Sequence, residues 1–341
     1  MSNLTIALDM MGGDNGPPVT IEAAILAVKE NPNLKLLLCG DQHMLAAELQ
    51  RYPNAPLKRM QIVHTDQVVG MSEKPSSALR NKSHSSMRKA LELVEEGDAD
   101  ACVSAGNTGA LLAMAYYVLK TLPGIDRPAL ISSLPTTSHK KVFLLDLGAN
   151  VSCDSEILFQ YAVMGSVMAE SVEGIDKPRV ALLNVGEEQI KGNDQVKNTA
   201  QLLSAVPSIN YIGYIEGNDI FTDKADVVVT DGFVGNIALK ACEGLGKLII
   251  NEVKRVSQQN LLSKLMARMA LPILRKIYGR VNPDQYNGAS LIGLRGIVVK
   301  SHGNASSEGF LYAIREATQE VSRQVPTKIK HRIEKLLMER P

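Results

Sequence analysis

Tryptophan is absent from the chain, and five phenylalanines and nine tyrosines bring aromatics to only 4%. A large core must therefore be packed from Leu, Ile, Val, Ala and Met. Cysteine is scarce: Cys39, Cys102, Cys153 and Cys242 lie far apart, and no Cys-x-x-Cys pair occurs. That spacing excludes a disulfide framework and a Cys-based zinc module, and three of the four sit in or beside apolar runs as small hydrophobes. Neither sign of charge dominates, with 37 basic and 36 acidic residues, which argues against nucleic acid as a partner. The stretch Met1–Met10 carries Asp9 and no apolar signal core, and the longest apolar run, Ala110–Leu122, is interrupted by Lys120. It reads as a buried helix, shorter than a membrane span, and the expected location is the reducing cytoplasm.

Signatures of cofactor chemistry are missing too. Gly244-Leu-Gly246-Lys247-Leu248 superficially suggests a phosphate loop, but Ala241 and Leu248 stand where that loop needs Gly and Ser or Thr. No Gly-x-Gly-x-x-Gly follows the first strand. Cys102-Val-Ser104-Ala-Gly106 departs from the hydrolase serine elbow at its first position. The six histidines form no His-x-x-x-His pair, and Asp219 and Asp223 sit in a turn with Gly217, Asn218 and Thr222. Neither a metal nor a cofactor is expected.

Short apolar runs alternate with helical patterns along most of the sequence. Leu4–Leu8, Leu34–Cys39, Gln61–Val63, Ala101–Val103, Val142–Leu147, Arg179–Val185, Tyr211–Ile215, Val227–Thr230 and Ile297–Val299 read as strands. Val19–Lys29, Ser86–Glu96, Thr108–Lys120, Glu156–Glu170 and Gln195–Leu203 read as helices between them. Continuous apolar strands separated by helices predict an α/β fold with a mostly parallel sheet covered on both faces, a three-layer αβα unit over residues 1–341. A helical protrusion is expected over residues 240–285. From Val253 to Pro283 it carries seven basic residues and no acidic one, with Leu261, Leu262, Leu265, Met266 and Met269 on one face. Pro272 should end or kink it. Such a face can pack on the core, on a second copy, or on an anionic membrane through Leu261, Leu265 and Met269.

Ligands of parallel sheets sit beyond the strands' carboxyl ends, where backbone amides and helix dipoles favour anions. Five polar, glycine-rich turns occupy that position. They contain Asp9, Gly12 and Gly13; Gly106, Asn107 and Thr108; Asp146 to Asn150; Gly186 to Asn193; and Asp231 to Asn236, with Gly235. Each alone also reads as a glycine turn with a helix cap. Lys191 beside Gly192-Asn193 adds a mobile charge to rigid backbone donors, a combination suited to phosphate or a developing oxyanion. His302, after the last strand, is a further polar candidate.

Taken together, these turns resemble the acyl-(acyl carrier protein):phosphate acyltransferases of bacterial phospholipid synthesis. The resemblance is carried by Leu8-Asp9-Met-Met-Gly12-Gly13-Asp14, Ser85-Ser86-Met87 and Asp100-Ala-Cys-Val-Ser104-Ala-Gly106-Asn107-Thr108-Gly109. It continues through Arg127-Pro128-Ala129, Leu145-Asp146-Leu-Gly148-Ala-Asn150-Val151, Gln160 to Ser166, Lys191-Gly-Asn193, Asp231-Gly-Phe-Val-Gly235-Asn236 and Tyr286-Asn-Gly288-Ala289. It implies an isocitrate/isopropylmalate-dehydrogenase-like fold shared with phosphotransacetylases, and a homodimer. It also implies transfer of a long fatty acyl group from acyl carrier protein to inorganic phosphate, the acyl phosphate then being consumed by a membrane glycerol-3-phosphate acyltransferase. Lys191 and Asn236 match the positions central to the family's activity, and the basic helical segment falls where the family attaches peripherally to membranes. Phosphate is already anionic near neutral pH, so no side-chain nucleophile is required. The expected tasks are charge for phosphate or oxyanion (Lys191), carbonyl polarisation (Asn236), and a phosphate cradle from Ser86, Asn107 and Thr108.

Overall fold

The computed structural model describes residues 4–281 and 287–339, with backbone alone at 261–262, 274–275, 277–281 and 337–339. Tyr286 and the side chain of Leu261 lie outside what is described. The chain opens with β1 (Leu4–Asp9), α1 (Pro17–Glu30), β2 (Leu34–Gly40), α2 (Gln42–Leu49) and β3 (Met60–His64). It continues with α3 (Pro75–Asn81), α4 (Ser86–Glu95), β4 (Ala101–Ser104), α5 (Thr108–Leu119), β5 (Ala129–Pro135) and β6 (Lys141–Leu145). Next come α6 (Ser155–Glu173), β7 (Val180–Leu183), α7 (Asp194–Ser204), β8 (Tyr211–Ile215), β9 (Val227–Val229), α8 (Gly232–Ser257) and α9 (Leu261–Val281). β10 (Ala289–Ile292), β11 (Ile297–Lys300), α10 (Ser307–Arg323) and α11 (Val325–Glu339) follow.

One 11-stranded sheet runs through the molecule in the order β3-β2-β1-β4-β11-β10-β5-β6-β9-β7-β8. β3, β2, β1, β4 and β11 are mutually parallel, as are β6, β9, β7 and β8. β10 and β5 join the sets by three successive antiparallel pairings. The two parallel sets therefore run in opposite directions. β5 and β10 are also the strands not anticipated from the sequence. Their polar positions, Ser132, Ser133 and Ser290, interrupt the apolar runs that mark strands buried on both faces.

Helices cover both faces. Ala7, Met87, Leu111, Leu144, Ala181 and Val228 share one continuous core that spans both strand sets beneath α3, α4, α5 and the start of α8. On the other face, α1, α2 and α10 close over the first set and α6, α7 and α11 over the second. Local signals explain where the helices start. Asp41, Ser85, Asn107, Asp154, Asn193, Asp231 and Ser306 each accept a first-turn amide as N-caps, and Pro75 opens α3. α6 is apolar almost all round because the sheet, α7, α10 and α11 surround it.

Two long helices, α8 and α9, follow β9. α8 and α9 pack against each other and leave Leu245, Leu248, Ile249, Leu265, Met266 and Met269 exposed. Pro272 lies inside α9, which does not end there. Of the two expected outcomes, an end or a kink, the end does not occur, because a proline forfeits one turn of bonding while the flanking residues keep theirs. Among the described residues, no helix is long and apolar enough to cross a membrane.

Candidate active site

Strand register builds the first polar centre. Asp9 of β1 pairs with Ser104 of β4, and Ser104 pairs with Lys300 of β11. Alternation along each strand turns all three toward the face covered by α4 and α5. They form one row at the carboxyl end of the parallel set, where α/β sheets place ligands. Asp9 is the hub. Its two carboxylate oxygens accept from the Ser86 and Ser104 hydroxyls at 2.6 Å each, and the amides of Met11 and Gly12 also donate to it. Burial nevertheless holds its pKa above the ordinary carboxylate value. The Gly12 turn fits only without a side chain, since a Cβ there would lie 2.8 Å from the Gly106 amide nitrogen. Gly13 has φ +89°, and Asp14 donates to the Gly303 carbonyl at 2.7 Å. Three turns, from β1, β4 and β11, are thus stapled together.

Within this cluster the expected phosphate ligands divide. Ser86 is buried and committed to Asp9. The Asn107 amide donates to the carbonyls of Met71 and Glu73 at 2.8 and 3.0 Å, while its oxygen caps Ala110. Thr108 is exposed at the open first turn of α5, where the amides of Thr108 and Gly109 are left for solvent or a ligand.

A second centre stands at the carboxyl ends of β6, β9 and β7. Asp146 is its hub, accepting from the amides of Leu130, Ala149 and Asn150 at 2.9, 3.0 and 2.7 Å. Burial pushes its pKa up as it does for Asp9. Asn150 is consumed structurally, donating to the Pro128 carbonyl and the Tyr161 hydroxyl at 2.7 Å each. Asn193 caps α7 through the Val196 amide. Asn236 is different. It is exposed, lies over Gly148, and makes no hydrogen bond through its amide group to any described residue. Lys191 lies over Gly186 in a loop latched by Asn184, and its ammonium pairs with Glu188 at 2.9 Å. That partner raises the lysine's pKa, keeping it cationic.

α8 connects the centres. Asn236 occupies its first turns, and Glu243, about 10 Å further along the helix, approaches His302 Nε2 at 3.6 Å. Lys240, one turn beyond Asn236 and on the same side, adds positive charge near both His302 and Lys300. Burial lowers the His302 pKa, with Lys240, Lys300 and Lys247 acting in the same direction and Glu243 opposing. The helix therefore carries an uncommitted amide and a cation from the second centre toward the first.

All four thiols are pushed up by burial, Cys153 to about 11, so none offers a thiolate at neutral pH. Among the described residues no three His, Cys, Asp or Glu side chains gather as a metal-holding group. Two residues in these centres, Lys300 and Lys240, were not singled out from sequence, and Asp146 was marked only as part of a polar turn without its role as hub. Lys300 ends an apolar strand, and a lysine closing an apolar run at a strand's carboxyl end was the available signal.

Comparison with known proteins places this geometry. A solved phosphotransacetylase from Staphylococcus aureus superposes with TM-score 0.61 at 18% identity, covering 95% of this chain and 94% of that one. A 4-hydroxythreonine-4-phosphate dehydrogenase from Klebsiella pneumoniae gives 0.53 at 16%, covering 94% and 98%. At these identities the likeness concerns fold, and it agrees with the dehydrogenase-like αβα architecture. A phosphate acyltransferase of Pseudoalteromonas atlantica (strain T6c / ATCC BAA-1087) is 62% identical over 340 residues, covering 100% of both chains. With residues 4–328 matched by the fatty acid synthesis protein family as well, the chain belongs to the phosphate acyltransferases of that family.

Proposed function

We propose that the protein moves a long fatty acyl group from acyl carrier protein to inorganic phosphate, releasing acyl phosphate for a membrane glycerol-3-phosphate acyltransferase. The observation that carries this reading is the uncommitted Asn236 amide on α8, which runs from the second centre toward the glycine-rich turns around Asp9. In the reaction, a phosphate oxygen attacks the thioester carbonyl and the carbon–oxygen bond forms. The tetrahedral oxyanion then collapses, the carbon–sulfur bond breaks, and the proton of hydrogen phosphate ends on the leaving thiol. A thiol of pKa about 8.5 departs with little acid assistance. Asn236 polarises the carbonyl and Lys191 balances the developing charge. Thr108, the open amides of α5 and the Gly12–Gly13 and Gly106 turns hold phosphate, while Ser86 and Asn107 keep those turns in shape. His302 borders the site.

The donor is the decisive variable. Purified protein offered acyl carrier protein thioesters and coenzyme A thioesters of the same long chain, with inorganic phosphate, should form acyl phosphate chiefly from the carrier-protein donor. A clear preference for short-chain coenzyme A thioesters would assign a phosphotransacetylase instead.

A hydrophobic product gives the exposed α9 face a use. The protein acts as a homodimer in the cytoplasm, with α9 resting peripherally on anionic membrane through its apolar side chains and surrounding basic residues. Leu265 and Met269 are 57% and 74% exposed, so replacing both by Glu should weaken binding to anionic liposomes and leave turnover on soluble donors intact. Unchanged liposome binding removes the membrane role.

A further inference from the structure

We propose that the Lys300 ammonium is the cationic ligand of the attacking phosphate, extending the phosphate site from the glycine turns to the end of β11. The inference rests on the phosphate-acceptor reading above and assigns that acceptor a specific countercharge.

Four observations converge on it. Register sets Lys300 beside Ser104 and Asp9 at the carboxyl end of three parallel strands. The side chain is only 7% exposed, and among the described residues no carboxylate approaches within ion-pair distance of its nitrogen. Its partners are backbone carbonyls, those of Ser301 and, at 3.5 Å, Ala105. Those carbonyls belong to the turns that meet Gly13 and Gly303: a Cβ on Gly13 would lie 3.5 Å from the Ala105 oxygen and 2.8 Å from the Gly303 oxygen. The ammonium therefore sits beneath the glycine turns, with no ion-pair partner among the described residues. A buried cation without an ionic partner is costly to fold around, and a bound dianion would supply what is missing.

The charges around it fit this role. Burial lowers its pKa to about 8, with Asp9 and Asp14 opposing the shift and Lys240 on α8 reinforcing it. Lys240 adds positive potential from the helix packed alongside, while burial and the neighbouring lysines lower the pKa of His302, which faces Glu243, the ion-pair partner of Lys240. Phosphate held at Lys300 would lie on the side from which α8 presents Asn236. The alternative is that Lys300 is only a remote structural counter-ion for Asp9.

Lys300→Met and Lys300→Arg variants of the full chain separate the two. Thermal melts with inorganic phosphate, against chloride at equal ionic strength, should show phosphate-dependent stabilisation of the wild type that is lost in Lys300→Met. The KM for phosphate should rise about tenfold to a hundredfold in Lys300→Met, as loss of a charge-assisted contact requires. The KM for the acyl donor should stay within about twofold, and Lys300→Arg should recover part of the phosphate response. Without phosphate, Lys300→Met should melt no lower than wild type, because an apolar side chain replaces an unpaired buried charge. In wild type alone, phosphate stabilisation should weaken as pH climbs through about 8, since the ammonium is then lost; this measurement stands even if neither variant folds. A variant that melts well below wild type while keeping its phosphate response overturns the proposal and leaves Lys300 structural. Absence of any phosphate effect on the wild type, in melting or in kinetics, would instead sink the phosphate-acceptor reading itself.

Discussion

Replacing Lys191 or Asn236 by alanine is expected to lower acyl transfer to phosphate by about 100-fold to 1,000-fold in each case, with both proteins folded. The reasoning differs for the two residues. Asn236 makes no hydrogen bond through its amide group to any described residue and is exposed on a helix, so alanine there breaks no described hydrogen bond and favours the helix slightly. A loss of turnover can then be assigned to the reaction and not to the fold. Lys191 is exposed and, among the described residues, forms an ion pair with Glu188 alone, an i,i+3 surface pair of the kind that adds little to stability. In the proposed reaction both groups act on one developing charge, so the double variant should fall well short of the product of the single effects. Asn193→Ala is the contrasting case. It removes the α7 cap, costing about 1 kcal/mol of stability, and should leave turnover nearly unchanged. The measurement is acyl-phosphate formation at saturating substrates beside a melting curve for each variant. Near-normal turnover in folded Lys191→Ala and Asn236→Ala would remove both from the site.

That contrast also marks what can be read from the sequence. Gly-Asn turns after apolar strands were visible as a class, and the strands that precede them were located to within a residue or two. Which asparagine is spent on architecture was not visible. Asn107, Asn150 and Asn193 stand in the same kind of turn as Asn236, yet the first three satisfy local amides or carbonyls. A side chain's hydrogen-bond partners depend on segments remote in sequence, such as the Gly70–Glu73 loop that occupies Asn107. β5 and β10 were missed for a related reason. As antiparallel connectors between two oppositely directed sets, they carry serines satisfied by neighbours, including Ser290 bonded to Glu320 at 3.0 Å. Lys300 was hidden because its meaning lies in register with Ser104 and Asp9, residues some 200 and 290 positions earlier in the chain. Apolar periodicity reports burial of an element; it carries no information about which strands become neighbours.

Gly235→Ala is expected to cost about 3 kcal/mol of stability and, in any protein that still folds, about 100-fold in turnover. A Cβ at position 235 would sit 1.9 Å from the Asp146 carbonyl oxygen and 3.0 Å from Thr230 Cγ2. The obstacle is backbone, and that backbone cannot yield easily. The Asp146 amide donates to the Thr230 carbonyl at 2.9 Å, and its carboxylate holds the amides of Leu130, Ala149 and Asn150. The first turn of α8 must therefore move outward, carrying Asn236 with it, and an error of about 1 Å in a positioning group is enough to cost two orders of magnitude. Gly244→Ala on the same helix supplies the comparison. A Cβ there meets nothing within 4 Å, so it should be neutral or stabilise by up to about 1 kcal/mol through helix propensity. Melting curves and turnover of the two variants side by side decide the matter. If Gly235→Ala melts and turns over like Gly244→Ala, α8 does not begin against the Asp146 turn, and the link that α8 makes between the two centres loses its anchor.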